Sequence, residues 1–252
     1  LDARPAMILW HGFLAALAAG AAAGLGALPL MVVVRVPTWV QDGLQGFAAG
    51  MMIGAASLSL VPPALTKGGL VQVLPGLFAG GALLALLDVL LPHLHLGAAR
   101  KSAARGWQHA LLVLAAIILH NLPEGLTMGV GFASGEDRVG LILTLAIGVQ
   151  NAPEGLLAAL PLRERGTSGP KAVGLALATG MVEPLAALAG MLLVEVLHDI
   201  LGFFLAFAAG AMFYVVSDTL IPDSHGHGFE RLSTLGFLTG FALMLVIRRL
   251  LA

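Results

Sequence analysis

The chain has 252 residues, of which 58% are hydrophobic and only 11% are charged. Because a soluble domain carries roughly 25% charged residues, this composition is that of an integral membrane protein. A net charge of −1 gives no basis for nucleic-acid binding, and the lack of cysteine excludes disulfides and thiolate metal sites.

A helix needs about 20 apolar residues to cross the hydrocarbon core of a bilayer. The sequence contains eight apolar stretches of that kind, separated by polar or Pro/Gly-bearing breaks. We predict an all-α polytopic membrane protein that forms one transmembrane domain over residues 1–252. Its predicted spans are approximately 7–34, 43–65, 69–91, 108–132, 139–160, 171–195, 200–221 and 232–250. The first stretch is too long for a signal peptide, so we expect a retained span.

The distribution of basic residues predicts how the spans are oriented. Eight spans place both termini on one side of the membrane. The loops after spans 1, 3, 5 and 7 hold eight of the thirteen Lys and Arg residues, and the other side holds five. Basic residues are enriched in cytoplasmic loops. We therefore expect a multi-pass protein of the inner (plasma) membrane with its termini outside and the 92–107 loop in the cytoplasm.

Span 4 carries the polar sequence LHNLPEGL at 119–126 near its middle. An ionisable side chain at that depth costs at least about 2.5–3.5 kcal/mol, so it usually faces a cavity or marks a substrate path. His120 and Glu124 are four residues apart, which places them about 40° apart around a helix and about 6 Å apart along it. They can therefore bind one ion together, and Asn121 lies on the same face as Glu124.

Span 5 repeats this pattern as VQNAPEGL at 149–156, with Gln150, Asn151 and Glu154. Both motifs lie near mid-span, where two crossing helices would bring them together. Span 6 adds Glu183, also near its middle. Each motif has a proline beside it, and a proline inside a helix frees the backbone carbonyl four residues earlier. The three spans thus offer side-chain ligands and freed carbonyls at one depth.

The donor set favours divalent transition metals over sodium or potassium. It contains three carboxylates, one imidazole and three carboxamides without any thiolate, which suits Zn²⁺, Fe²⁺, Mn²⁺ or Cd²⁺. Two glutamates on neighbouring helices can bridge two metal ions about 3.5–4 Å apart. Buried carboxylates also need metal ions or protons to neutralise them.

Other interpretations of these residues are less consistent with the pattern. An isolated polar residue beside a proline in a span is usually an interhelical hydrogen bond, but two copies at one depth favour function. An intramembrane zinc protease needs H-E-x-x-H, which is not present. A di-iron oxidase would need E-x-x-H pairs at mid-span. A passive channel stays an alternative to a transporter, and we expect no enzyme activity.

Two groups of acidic residues and histidines near predicted cytoplasmic loops are secondary metal-site candidates, because His-rich tracts often bind metal. A solvated loop is the alternative for each group. The group after span 3 consists of Asp88, His93 and His95. The group after span 7 consists of Asp218, Asp223, His225 and His227.

The chain resembles the ZIP (Zrt/Irt-like) family of divalent metal transporters, of the prokaryotic GufA-like type. The resemblance rests on eight spans, HNLPEG in span 4, QNAPEG in span 5 and EP in span 6. It implies a 3+2+3 inverted repeat, in which spans 1–3 relate to spans 6–8 around spans 4 and 5. It also implies uptake of zinc, with cadmium, iron or manganese as further substrates. Spans 1, 4, 5 and 6 would move as an elevator against the rest, in a homodimer.

The resemblance further implies two adjacent metal positions bridged by Glu124 and Glu154. The first would be formed by His120, Glu124, Gln150, Glu154 and a methionine of span 2. The second would be formed by Asn121, Glu124, Asn151, Glu154 and Glu183. Met52 fits the methionine position better than Met51, because small residues then follow along that helix face. Some relatives carry aspartate in place of Asn151, so a weaker second position is implied here.

Overall fold

The computed structural model describes residues 3–90, 107–134 and 137–251, and each secondary-structure element within these ranges is helical. The main helices are α1 (Ala3–Gly26), α2 (Thr38–Ala55), α3 (Val61–Leu90), α4 (Trp107–Ala133), α5 (Asp137–Glu164), α6 (Gly169–Gly180), α7 (Val182–Val196), α8 (Leu201–Val215), α9 (Ile221–Ser224) and α10 (Glu230–Leu251). Short 3₁₀ helices lie at Leu28–Met31 and His198–Ile200.

Six helical stretches among the described residues are long and apolar enough to cross a membrane. They are Met7–Met31, Thr38–Leu87, Arg138–Glu164, Gly169–Val196, His198–Ser224 and Glu230–Leu251. The side chains of residues 107–117 in α4 lie outside the described part, and α4 is not among the six. The protein is therefore an all-helical polytopic membrane protein.

The 50-residue stretch Thr38–Leu87 is not one straight helix. Gly69 has φ 55° and ψ −170°, which interrupts the helical backbone inside α3. Only glycine adopts such a positive φ readily, because it has no Cβ. The predicted spans 43–65 and 69–91 meet at this residue.

Two π-helical turns mark equivalent points of the chain, at Ala56–Leu60 after α2 and at Val216–Leu220 after α8. Pro62 and Pro222 each follow one of these turns by two residues. A proline cannot donate the i→i−4 hydrogen bond, so the carbonyl four residues before it lacks its usual helical donor. In both segments that carbonyl lies within the π turn. The sequence explains the local widening of both helices in the same way.

The same two segments share a sequence repeat. FAAG occurs at 47–50 and again at 207–210, and each copy is followed by a methionine, a π turn and a proline. α2 packs along α10, and α8 packs along α3. Each of the two segments thus packs along one other long helix.

The helices pack in two groups. The first group contains α2, α3, α8 and α10, and the second contains α1, α4, α5, α6 and α7. In the second group α4 packs mainly on α7 and α1 mainly on α5, while α4 and α5 also contact each other. The groups meet where α2 contacts α5 and α8 contacts α4. The polar motifs of α4 and α5 therefore lie in the second group, beside its boundary with the first.

Close contact at two glycines positions α1 against the break between α6 and α7. A Cβ on Gly20 would clash with the carbonyl oxygen of Gly180, and a Cβ on Gly180 would clash with that of Gly20. Small residues allow such approach of helices in a membrane. The contact places the carbonyls of Ala19 and Thr179 next to the polar motifs.

Candidate metal centre

The first link of the centre joins α4 to α5. Gln150 Nε2 donates a hydrogen bond of 2.7 Å to Glu124 Oε1. Both side chains are fully buried, with 0% of their surface exposed. Gln150 and Glu124 were predicted to share one metal position, and the structure brings their side chains into direct contact.

The second link joins α5 to α7 and α1. Asn151 Nδ2 lies 2.8 Å from Glu183 Oε1 and 2.9 Å from Glu183 Oε2, so it donates to the carboxylate as a whole. The same nitrogen donates to the carbonyl of Ala19 at 2.9 Å. Successive residues of a helix point about 100° apart, so Gln150 and Asn151 contact different neighbours.

Asn121 provides the third link, from α4 to α6. Its Nδ2 donates a hydrogen bond of 2.9 Å to the carbonyl of Thr179. That carbonyl lies beside the break at Met181, where α6 ends and α7 begins. Asn121 therefore satisfies backbone that the interrupted helix exposes, and it does not contact a carboxylate directly through this nitrogen.

Several oxygen atoms of the centre are buried without a hydrogen-bond partner in the described part of the chain. They are Glu124 Oε2, Gln150 Oε1 and Asn151 Oδ1. A buried acceptor that makes no hydrogen bond costs about 1–3 kcal/mol. Because all three atoms are oxygens, a bound cation would satisfy each of them, whereas a further acceptor would not.

The remaining predicted ligands lie at the edge of this network. His120 and Glu154 are partly buried, one helical turn from Glu124 and from Gln150 respectively. Met52 is 1% exposed and belongs to a buried apolar cluster with Met212. Within the described residues, no three His, Asp or Glu side chains are arranged to hold one ion. The amides of Gln150 and Asn151 donate to the carboxylates of Glu124 and Glu183 respectively.

The secondary candidates near the cytoplasmic loops make separate contacts. Asp88 lies in α3 with its side chain outside the described part, and His93 and His95 lie outside the described residues. His225 Nδ1 donates to the carbonyl of Ile221 at 2.9 Å. His227 Nδ1 lies 2.9 Å from Asp42 Oδ1, so it contacts α2.

The two aspartates of the second group occupy different surroundings. Asp218 is exposed within the π turn after α8. Asp223 is partly buried in α9, and its Oδ2 is buried without a hydrogen-bond partner in the described part. The four residues of this group therefore do not share one environment.

Comparison with known proteins decides the family of the chain. A family model described as ZIP Zinc transporter matches residues 93–248, which is more than half of the sequence. The chain belongs to the ZIP family. It is 44% identical over 246 residues to the zinc transporter GufA of Myxococcus xanthus, covering 94% of this chain and 97% of that protein.

Two further ZIP relatives are similar over most of the chain. The zinc transporter ZIPB of Bordetella bronchiseptica is 42% identical over 245 residues, covering 90% of this chain and 77% of the relative. The zinc transporter ZupT of Corynebacterium glutamicum is 31% identical over 248 residues, covering 90% of this chain and 94% of the relative. The similarity thus extends well beyond the two PEG motifs.

Sequence reasoning missed two polar residues of this ZIP-family chain. Asp42 is 1% exposed at the start of α2, where the sequence suggested only a break between spans. Its carboxylate, which is the one charged group in α2, was the available signal. Thr127 is fully buried three residues after Glu124, and its hydroxyl donates to Met212 Sδ at 3.5 Å. The FAAG repeat would have drawn attention to Met212.

Proposed function

We propose that this ZIP-family chain takes up divalent transition-metal cations, with zinc as the main substrate, into the cytoplasm. The relatives are named zinc transporters, and the donor set also suits Cd²⁺, Fe²⁺ and Mn²⁺. The observation that carries the proposal is the group of buried amide–carboxylate contacts with unpartnered oxygens at mid-helix. Transport, not catalysis, is the function that these features support.

The oxygens without hydrogen bonds suggest how the cation is held. The first position uses His120, Glu124, Gln150 and Glu154 with the sulfur of Met52. The second uses Asn121, Glu124, Asn151, Glu154 and Glu183. Gln150 and Asn151 would bind the cation through their oxygens while their nitrogens keep the contacts described above. The carboxamide of Asn151 gives the second position one negative charge fewer than an aspartate would.

The two helix groups support an elevator mechanism. All of the proposed ligands except Met52 lie in the group formed by α1 and α4–α7, and Met52 lies in the other group. Sliding of the first group would carry the bound cation across the membrane and move it away from the methionine. Protonation of the glutamates at release would compensate the charge that leaves with the cation.

The FAAG repeat supports the 3+2+3 architecture with eight spans. It relates span 2 to span 7, and the paired PEG motifs relate span 4 to span 5. The placement in the inner membrane with both termini outside, the homodimer, and lipid as a partner stay predictions from the sequence.

Uptake of radiolabelled zinc into proteoliposomes tests the proposal. We expect Glu124→Ala to reduce the initial rate at least about tenfold, because it removes a bridging carboxylate and leaves the Gln150 amide without its acceptor. Glu164→Ala is the control, since Glu164 is an exposed glutamate at the end of α5. Equal uptake by the wild type and Glu124→Ala would refute the site.

A further inference from the structure

Met212 occupies the position in α8 that Met52 occupies in α2. Each methionine is the sixth residue counted from the phenylalanine of its FAAG motif. Both are buried, Met52 at 1% and Met212 at 0% exposure. One continuous apolar cluster contains both methionine side chains together with Val130 of α4 and Ala146 of α5. Both methionines therefore belong to the opposite helix group and share one apolar cluster with residues of α4 and α5.

A hydrogen bond links the sulfur of Met212 to Thr127, a residue of the same helix as Glu124. Thr127 Oγ1 donates to Met212 Sδ at 3.5 Å, across the boundary between the two helix groups. Thr127 follows Glu124 by three residues, which corresponds to about 4.5 Å along the axis of α4. The residue that holds the sulfur thus lies about one helical turn from Glu124 along α4.

The segments that follow the two PEG motifs differ at the position of Thr127. When HNLPEG of α4 is aligned with QNAPEG of α5, the residue equivalent to Thr127 is Leu157. A leucine side chain cannot donate a hydrogen bond, whereas the threonine hydroxyl can. The sulfur of Met212 therefore accepts a hydrogen bond from the Thr127 hydroxyl in α4, and the equivalent residue of α5 has no hydroxyl to donate.

We propose that Met212 is a second thioether position along the cation path, and that Thr127 restrains it. Thioether sulfur is a soft, polarisable ligand that favours Cd²⁺ over a hard cation such as Mn²⁺. Met212 would then raise the preference of the transporter for thiophilic cations, and the hydroxyl of Thr127 would limit that preference. This inference rests on the proposed metal-transport function.

The test compares uptake of Cd²⁺ and Mn²⁺ into proteoliposomes. We expect Met212→Leu to lower the ratio of Cd²⁺ uptake to Mn²⁺ uptake by about fivefold. Loss of one supporting contact around a metal costs roughly tenfold in affinity or activity, and the effect should be smaller here because a thioether is a weak ligand. Leucine is similar in volume to methionine, so the fold should tolerate the change. Met244→Leu is the matched control, since Met244 is a fully buried methionine in α10 that contacts Gly54.

Thr127→Val separates a role in selectivity from a role in packing. Valine keeps the shape of the side chain but cannot hold the sulfur, so the Cd²⁺/Mn²⁺ ratio should rise in Thr127→Val. The same substitution in the Met212→Leu background should leave the ratio unchanged. An unchanged ratio in Met212→Leu, or a Thr127→Val effect that persists without the methionine, would overturn the inference. Failure of the wild type to transport either cation would instead refute the proposed function.

Discussion

At the scale of single residues, two neighbouring amides organise the centre. Gln150 and Asn151 are consecutive, yet they donate to carboxylates on two different helices, Glu124 on α4 and Glu183 on α7. A carboxamide carries both a donor and an acceptor, so it can stabilise a carboxylate in one state and bind a cation in another. The same side chains can therefore serve a metal-free and a metal-bound arrangement without leaving the site.

Asn151→Asp tests this dual role. The substitution replaces a donor to both oxygens of Glu183 with a second carboxylate, so like charges meet in a buried site unless a cation or proton separates them. We expect the metal-free protein to lose about 1–3 kcal/mol of stability, and Zn²⁺ to raise its melting temperature more than it does for the wild type. Thermal unfolding in detergent with and without Zn²⁺ measures both effects.

Asn151→Ala is the control for this substitution, because it removes the amide donor without adding charge. It should lower the melting temperature without increasing the response to Zn²⁺. A zinc response in Asn151→Asp no greater than in the wild type would contradict the second metal position.

At the scale of helices, interruptions of regular structure decide where the polar groups can act. α6 and α7 are separated at Met181, just before Glu183 and Pro184. The break leaves the carbonyl of Thr179 to accept from Asn121. It also places Gly180 against Gly20, so that α1 approaches closely enough for the carbonyl of Ala19 to accept from Asn151. The geometry of the centre thus depends on close backbone packing as well as on its ligands.

Gly180→Ala should disturb this packing, and Gly174→Ala in the same helix should not. A Cβ at position 180 would clash with the carbonyl of Gly20, whereas a Cβ at position 174 would meet no atom within 4 Å. We expect Gly180→Ala to cost about 1–3 kcal/mol and to slow zinc uptake, because α1 must move away from Asn151. Gly174→Ala should be neutral or stabilise by about 0.5–1 kcal/mol, since alanine favours the helix.

The melting temperatures and initial uptake rates of the two variants provide the comparison. Equal behaviour of Gly180→Ala and Gly174→Ala would show that the contact between α1 and α6 does not position the centre.

The sequence indicated that polar residues of spans 4, 5 and 6 face one site, but not which side chains and carbonyls contact one another. The two PEG motifs predicted that Glu124 and Gln150 share a site, because polar groups at mid-span must find one another. The bond of Asn121 to a backbone carbonyl was not predictable, since it depends on where α6 is interrupted. The pairing of Asp42 with His227 joins residues 185 positions apart, and no local pattern encodes it.

The helical architecture was predictable to a similar degree. Apolar length alone indicated a polytopic helical protein, and Gly69 interrupts the helix where a boundary between spans was expected. The predicted count of eight spans exceeds the six stretches found among the described residues. The FAAG repeat was visible in the sequence, but the π turn that follows each copy was seen only in the structure.

At the scale of the whole molecule, polar links are concentrated within the helix groups. The bonds of Gln150, Asn151 and Asn121 all lie inside the group of α1 and α4–α7. The contact of His227 with Asp42 lies inside the other group. The Thr127–Met212 bond crosses the boundary, but it uses a weak acceptor. Such an arrangement favours motion of one group against the other over deformation within a group.

Cross-linking distinguishes these two kinds of motion. Because the sequence contains no cysteine, a thiol-specific reagent would react only at cysteines introduced by substitution. Thr127→Cys/Met212→Cys joins α4 to α8 between the groups, and Gly12→Cys/Met191→Cys joins α1 to α7 within one group. The pairs are matched, because in each a methionine sulfur contacts the other position. We expect a short, reducible bis-methanethiosulfonate reagent to stop zinc uptake only in the first pair, and a reductant to restore it. Uptake that continues with the first pair fully cross-linked would rule out movement of the two groups at this boundary, and transport would then have to proceed by local gating within each group.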